Sequence, residues 1–211
     1  MRRLPVYLLL DTSGSMNGEP IEAVKNGVQT LLTTLKQDPY ALETAYVSVI
    51  TFDSSARQAV PLTDLLSFKL PDLVASGTTA LGEALSLTAD AISREVQKTT
   101  AETKGDWRPL VFIMTDGSPT DDWRKGVSAF KAARTGVVVA CAAGHSAETS
   151  VLQEITEIVL QLDTADSTTI KAFFKWVSAS ISVGSQKVES KKEVIGLDDL
   201  PPPPPEVNVV L

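Results

Sequence analysis

The sequence predicts an α/β fold: a Rossmann-like, doubly wound, mainly parallel sheet with one antiparallel edge strand and helices on both faces. Three observations predict it. Short apolar runs alternate with amphipathic stretches of helical spacing along most of the chain, the pattern of a parallel sheet covered by helices. The runs are too brief for helices and are bounded by turn residues, as for strands buried on both sides. Oxygen-bearing residues follow several of the runs, where an open α/β sheet forms its ligand crevice.

Val6–Leu10, between Pro5 and a Ser/Gly turn, reads as a central strand. Glu19–Leu35 follows as a helix, with Ile21, Val24, Val28, Leu31, Leu32 and Leu35 along one face. Ala45–Phe52 is rich in β-branched and aromatic residues and reads as a strand. Arg57–Leu62 reads as the antiparallel edge strand, since Pro61 is tolerated at an edge. Leu81–Val96 is helical, Lys98–Asp106 a polar surface loop and Pro109–Thr115 a strand. Asp121–Arg134 is a helix, with Gly136 placed to end it. Val137–Ala143 is a strand, and Ser150 with Gln153 suggests a capping box on a short helix. Ile158–Leu162 is the last strand and Thr168–Ile181 the last helix, its Ile170, Phe173, Phe174 and Val177 turned inward.

Residues 4–182 are thus expected to form one domain. Residues 183–211 read as a polar and proline-rich C-terminal tail, in which Pro201–Pro205 favours polyproline II. Two readings of the tail stand: a disordered spacer, or a docking peptide for a groove on another protein. With 211 residues, 43% of them hydrophobic, the chain can bury a full core. A net charge of -7 argues against nucleic acid or an anionic membrane as partner. The single cysteine, Cys141, cannot form an internal disulfide and reads as a small buried hydrophobe. No apolar stretch is long enough to span a bilayer, and Met1–Pro5 runs into a strand without the features of a signal peptide. The expected compartment is the cytoplasm.

Five residues carry the chemistry. Asp11, Ser13 and Ser15 form D-T-S-G-S after the first strand; Thr79 lies in S-G-T-T-A-L; Asp116 ends the Leu110–Met114 run in M-T-D-G-S. Two carboxylates and three hydroxyls, without His or Cys, suit a hard divalent cation: Mg2+, with Mn2+ or Ca2+ as alternatives. Hydroxyls are neutral ligands, so a site built largely from them leaves the ion able to attract a carboxylate from another molecule. Asp11 and Asp116 must flank the switch point if their strands are neighbours, so fold and chemistry place the site at the same spot.

D-x-S-x-S after a first strand, matched by a Thr loop and an Asp loop, resembles the von Willebrand factor A domain and its metal-ion-dependent adhesion site. The resemblance covers roughly Leu4 to Ser182. It implies a metal set of Asp11, Ser13, Ser15, Thr79 and Asp116, the register of T-A-L-G-E-A-L selecting Thr79 over Thr78. It also implies that Asp11 and Asp116 act mainly through water, with one position open to water or to a partner's Glu or Asp. Y-L-L-L-D-T-S-G-S-M-N-G-E-P-I-E-A-V and M-T-D-G-S-P-T-D look most like the bacterial TerY-like branch associated with tellurite resistance and stress response. That branch implies a protein–protein interaction module in phosphorylation signalling, with a kinase or PP2C-type phosphatase as partner.

The rival is a Mg2+-dependent phosphotransferase of the haloacid-dehalogenase type. Such an enzyme needs a second acid two residues after its Asp, and position 13 is a serine. G-x-G-x-x-G and G-K-[ST] are absent from the loops where a nucleotide fold would carry them. No catalytic turnover is expected. Met16, Asn17, Asp121, Asp122 and Trp123 are expected to form the rim of the site, with Trp123 packed against its own helix. His145 reads as a loop residue on the same edge, and Asp53 as the cap of a turn.

Overall fold

The structure, a computed structural model, describes residues 2–189 and 197–210. Its centre is β1 (Leu4–Asp11), in which every residue is buried. Leu4, Val6, Leu8 and Leu10 enter one hydrophobic core, and Tyr7 and Leu9 the other. Period-two alternation with both faces apolar is what a strand between two helical layers requires.

From β1 the chain forms α1 (Glu19–Gln37) and α2 (Pro39–Thr44), then β2 (Ala45–Phe52) and β3 (Ala56–Asp64). It returns through α3 (Leu81–Glu95) to β4 (Leu110–Thr115), and continues with α4 (Trp123–Ala132) and β5 (Val138–Ala143). After α5 (Thr149–Ile155), β6 (Val159–Leu162), α6 (Ser167–Glu189) and β7 (Val207–Val210) complete it. Among the described residues the sheet has seven strands in the order β3-β2-β1-β4-β5-β6-β7. β2, β1, β4, β5 and β6 are mutually parallel, and β3 and β7 are antiparallel edges. Helices α1, α2 and α6 cover one face, and α3, α4 and α5 the other.

The predicted fold class stands, with a second antiparallel edge added. The expected boundary at residue 182 coincides with no element end: α6 runs on to Glu189, and β7 pairs with β6 from Val159↔Val210 to Leu162↔Val207. The polyproline segment is a strap rather than a free spacer over its described length. Trp176 Nε1 donates to the Pro201 carbonyl at 2.8 Å, and Lys187 pairs with Asp199. Residues 190–196 and 211 of the expected tail lie outside the described residues. Helix α2 was not expected; Asp38 caps it through the Tyr40 and Ala41 amides. Gly136 does not end α4, which stops at Ala132 with Ala133 extended. Ser150 and Gln153 lie inside α5 and form no capping box, because the helix begins one residue earlier, at Thr149. Cys141 is fully buried in β5, as expected. Trp107 and Trp176 belong to the core.

Close helix packing depends on glycine at two places. A Cβ on Gly27 of α1 would lie 2.2 Å from Phe174 Cδ2 of α6, and one on Gly126 of α4 would lie 2.1 Å from the Gly82 carbonyl oxygen of α3. The second contact is with backbone, which cannot rotate away. Gly126→Ala should therefore lower stability by roughly 1–3 kcal/mol, although alanine is the better helix former. A urea midpoint equal to or above that of the parent would contradict this packing. Deleting residues 201–211 should also destabilise, because it strips β7 from β6 and leaves the buried Trp176 indole N–H without its acceptor. The net loss of one such hydrogen bond costs about 0.5–1.5 kcal/mol, to which the lost strand pairing adds. An unchanged urea midpoint would show that the strap contributes nothing.

Candidate metal centre

The switch in strand order falls between β1 and β4. The chain leaves β1 toward β2 and begins the other half of the sheet at β4, so the loops after these two strands diverge and open a crevice. Leu10 pairs with Met114, so Asp11 and Thr115 end their strands side by side. Thr115 Oγ1 donates to Asp11 Oδ2 at 2.5 Å, and the Ser13 amide donates to Asp11 Oδ1 at 2.7 Å. Both carboxylate oxygens are thus engaged, and Asp11 has no exposed surface.

The 3-10 turn Gly14–Met16 brings the chain back on itself. Ser13 Oγ and Ser15 Oγ then stand 3.0 Å apart, and Ser15 Oγ donates to Asp116 Oδ1 at 2.6 Å. A hydroxyl has one proton, so with Ser15 donating to Asp116, Ser13 donates to Ser15. The result is a chain of oxygens from the first loop to the loop after β4. The third loop is tied to the first by backbone: Ser76 N donates to Thr12 O at 2.9 Å, and Gly14 N to Gly77 O at 3.0 Å. Gly77 has φ +73, and a Cβ there would sit 2.3 Å from Ser54 Oγ, so this approach needs glycine. Thr79, two residues on, is 5% exposed. The place a Cβ would take on Gly117 is 3.6 Å from Thr79 Oγ1 and 3.8 Å from Ser15 Oγ, so both hydroxyls lie over the same turn of backbone.

The structure therefore brings Asp11, Ser13, Ser15, Thr79 and Asp116 to one crevice. Burial pushes the Asp11 carboxyl above its ordinary range; hydrogen bonds from Ser13 and Thr115 oppose this, and the nearby Asp116 charge adds to it. Burial likewise raises Asp116, opposed by the Ser15 hydroxyl. Among the described residues no Lys or Arg forms an ion pair with either aspartate. Two desolvated carboxylates without a cationic side chain are an electrostatic deficit that a bound cation would relieve. The spacing fits as well: neighbouring ligands of an octahedral ion at 2.0–2.1 Å lie roughly 2.9 Å apart, close to the 3.0 Å between the two serine hydroxyls. No three His, Cys, Asp or Glu side chains gather elsewhere among the described residues as a rival metal site.

Sequence reasoning missed Thr115, whose hydroxyl holds the innermost carboxylate; its place directly before Asp116 in M-T-D was the available signal. The expected rim needs correction at Met16, which is fully buried and belongs to the α1–α6 core, while Asn17 is exposed. Asp122 is exposed, and Trp123 is half-buried against the α3–α4 core with the Arg124 guanidinium 4.3 Å from its ring centroid. Asp53 caps a turn, accepting from Ser55 N at 3.1 Å. His145 is exposed in the loop after β5.

The chain is 35% identical over 123 residues to the uncharacterized protein sll0103 of Synechocystis sp., a match covering 55% of this chain and 26% of that one. The chain thus spans about a quarter of the length of that relative. A von Willebrand factor type A protein from Catenulispora acidiphila has a similar fold, with TM-score 0.63 and 18% identity over 86% of this chain and 43% of the other. So does proximal thread matrix protein 1 of the mussel byssus, solved with a zinc-occupied MIDAS motif, with TM-score 0.62 and 20% identity over 84% of this chain and 48% of the other. The von Willebrand factor type A domain itself matches residues 6–175, and the chain belongs to that family.

Proposed function

We propose that this protein is a metal-dependent protein–protein interaction module, and that Asp11, Ser13, Ser15, Thr79 and Asp116 hold its divalent cation. Von Willebrand factor A domains commonly mediate such interactions, and the zinc in the mussel protein supports a divalent ion at the motif. The observation that carries the reading is the convergence of two buried aspartates, with no cationic partner among the described residues, on two serine hydroxyls 3.0 Å apart. Mg2+ is the proposed ion: the ligands are all oxygen, and Mg2+ keeps open or water-filled positions readily.

Bound there, the ion supplies a Lewis-acidic position that a carboxylate can fill. Ser13 and Ser15 present neutral lone pairs to it. Asp11, with both oxygens already accepting hydrogen bonds, is suited to act through water. The partner is proposed to be a protein that supplies a Glu or Asp. Asn17 and Asp122 remain as exposed rim residues. A phosphotransferase reading finds no support in the geometry: where it needs an acid, Ser13 Oγ pairs with Ser15 Oγ, and no turnover is proposed. Motif resemblance alone supports the TerY-like placement in tellurite-resistance and stress signalling, with a kinase or PP2C-type phosphatase as partner. No helix among the described residues is long and apolar enough to cross a membrane; a cytoplasmic location is proposed with the same placement.

Mg2+ should raise the melting temperature of chelator-treated protein. A ligand at a hundredfold excess over its Kd adds ~2.7 kcal/mol. Melting curves that overlay with and without Mg2+, together with no calorimetric Mn2+ binding, would refute the site. In the metal-free protein the sign for Asp11 reverses. Its folded-state pKa is raised, so the folded protein binds protons more readily than the unfolded chain, and stability falls as pH rises through the raised value. Asp11→Asn should therefore melt higher than the parent in EDTA at pH 7, lose that advantage on acidification, and show no Mg2+ response. A lower melting temperature in EDTA would contradict an unrelieved buried charge. For the partner, affinity capture from the host cell with Mg2+ against EDTA should retain a protein that Asp11→Ala does not retain. A partner captured equally under all these conditions would move recognition to another face.

A further inference from the structure

We infer that Thr120 and Asp121 are positioning residues of the metal centre, which clamp the start of α3 and so fix Thr79 against the Asp116 loop. The inference rests on the metal reading above. Thr79 belongs to a stretch, residues 65–80, that contains neither helix nor strand. Nothing in its own segment supplies a regular backbone to aim the hydroxyl. The neighbouring amides of Thr78 and Ala80 are held by Ser54 Oγ at 3.1 Å and the Asp53 carbonyl at 2.7 Å. Four hydrogen bonds from the loop after β4 fix Thr79 itself and the helix start that follows it. The Thr79 amide donates to Thr120 Oγ1 at 3.1 Å, and the Thr120 amide donates to the Thr79 carbonyl at 2.9 Å. One residue after Thr120, Asp121 Oδ1 accepts from Gly82 N at 3.0 Å and Oδ2 from Glu83 N at 2.8 Å.

Helix α3 needs this. Ala80 stands at its N-cap position and offers no side-chain acceptor. A helix leaves its first amides unsatisfied, and a carboxylate there meets both the N–H groups and the positive end of the macrodipole. Asp121 supplies that cap from 39 residues away. Both oxygens of Asp121, the last acid in D-G-S-P-T-D, are thus engaged by the helix start. Behind the clamp the backbones are in contact: a Cβ on Gly82 would lie 2.5 Å from Trp123 Cα and 2.8 Å from the Asp122 carbonyl oxygen. Thr79 and Asp116 are therefore held as one unit, although 37 residues of sequence separate them.

The test is a double-mutant cycle on Mn2+ affinity, read by titration calorimetry and by the EPR signal of free Mn2+ in the full chain. Thr120→Val removes the hydroxyl at constant shape, and Asp121→Ala removes the cap. Each should weaken Mn2+ binding roughly tenfold, the low end for loss of a group that orients a metal ligand. In a Thr79→Ala background neither should weaken it further, because the ligand they position is gone. Thr120→Ser, which keeps the hydroxyl, should bind as the parent does. Chelated-state melts report folding separately, and if Asp121→Ala does not fold, the isosteric Thr120→Val decides. Affinities of the two single variants within twofold of the parent would overturn the inference. So would losses that persist in full on Thr79→Ala, since they would then be general damage to the fold. A parent protein that binds no Mn2+ would instead bring down the metal reading itself, and the inference with it.

Discussion

A single carboxylate with no exposed surface, Asp11, organises the carboxyl edge of the sheet. It ends β1, between β2 on one side and β4 on the other, where the sheet reverses its order. An ionised group at that depth must be met by donors or stay protonated. The Ser13 amide and the Thr115 hydroxyl meet it. Both donors have structural consequences. The Ser13 bond fixes the turn that aims the two serine hydroxyls, and the Thr115 bond locks the ends of β1 and β4 together. Ser15 then reaches Asp116, and the Gly14 and Thr12 backbone holds the segment around Gly77. Three loops that are distant in sequence thus become one surface through hydrogen bonds that begin at a buried charge.

Much of this was legible in the chain, and the reasons differ by element. β1, β2, β4 and β5 sit under helices on both faces, so burial writes itself directly into composition as short apolar runs. α1 and α3 are long enough for a repeating apolar stripe. The convergence of the five candidate residues was legible because an open α/β sheet forms its crevice beyond the carboxyl ends of these strands, and D-T-S-G-S and M-T-D-G-S fall there. β7 was not legible. V-N-V-V is four residues long, follows five prolines, and becomes a strand only because β6 leaves an edge open for it. The proline run reads as a spacer or a docking peptide for the same reason: what holds it is the Trp176 indole, 25 residues earlier in the sequence. α2 is a single short segment whose signal was Asp38-Pro39, a cap and a first-turn proline without room for periodicity. Sequence adjacency suggests Met16 for the rim because neighbours share a loop, whereas a 3-10 turn rotates each residue by about a third of a turn from the last. Ser15 faces out, and Met16 faces the core.

The proposed carboxylate-seeking site poses an electrostatic question on an acidic protein. The net charge of -7 opposes an acidic ligand at long range, but at physiological ionic strength that field decays over about 8 Å. Within the crevice the balance is set by the groups in contact. There the aspartates are turned inward, Asp11 toward Thr115 and Ser13, and Asp116 toward Ser15. Asp116 accepts the Ser15 hydroxyl at Oδ1, so the neutral hydroxyls and one carboxylate oxygen of Asp116 would be left to face an ion. With both oxygens of Asp11 engaged behind them, the hydroxyls would leave much of a bound cation's charge uncompensated toward an approaching carboxylate. A site built from exposed carboxylates would hold the same ion more tightly and repel the partner. The arrangement also separates recognition from stability. The two hydrophobic cores lie on the faces of the sheet, while the site is built at its edge from hydrogen bonds between loops. Loosening one loop can therefore disperse the ligands while the cores remain packed, which is why the contacts that hold those loops, more than the ligands alone, decide whether the surface is competent to bind.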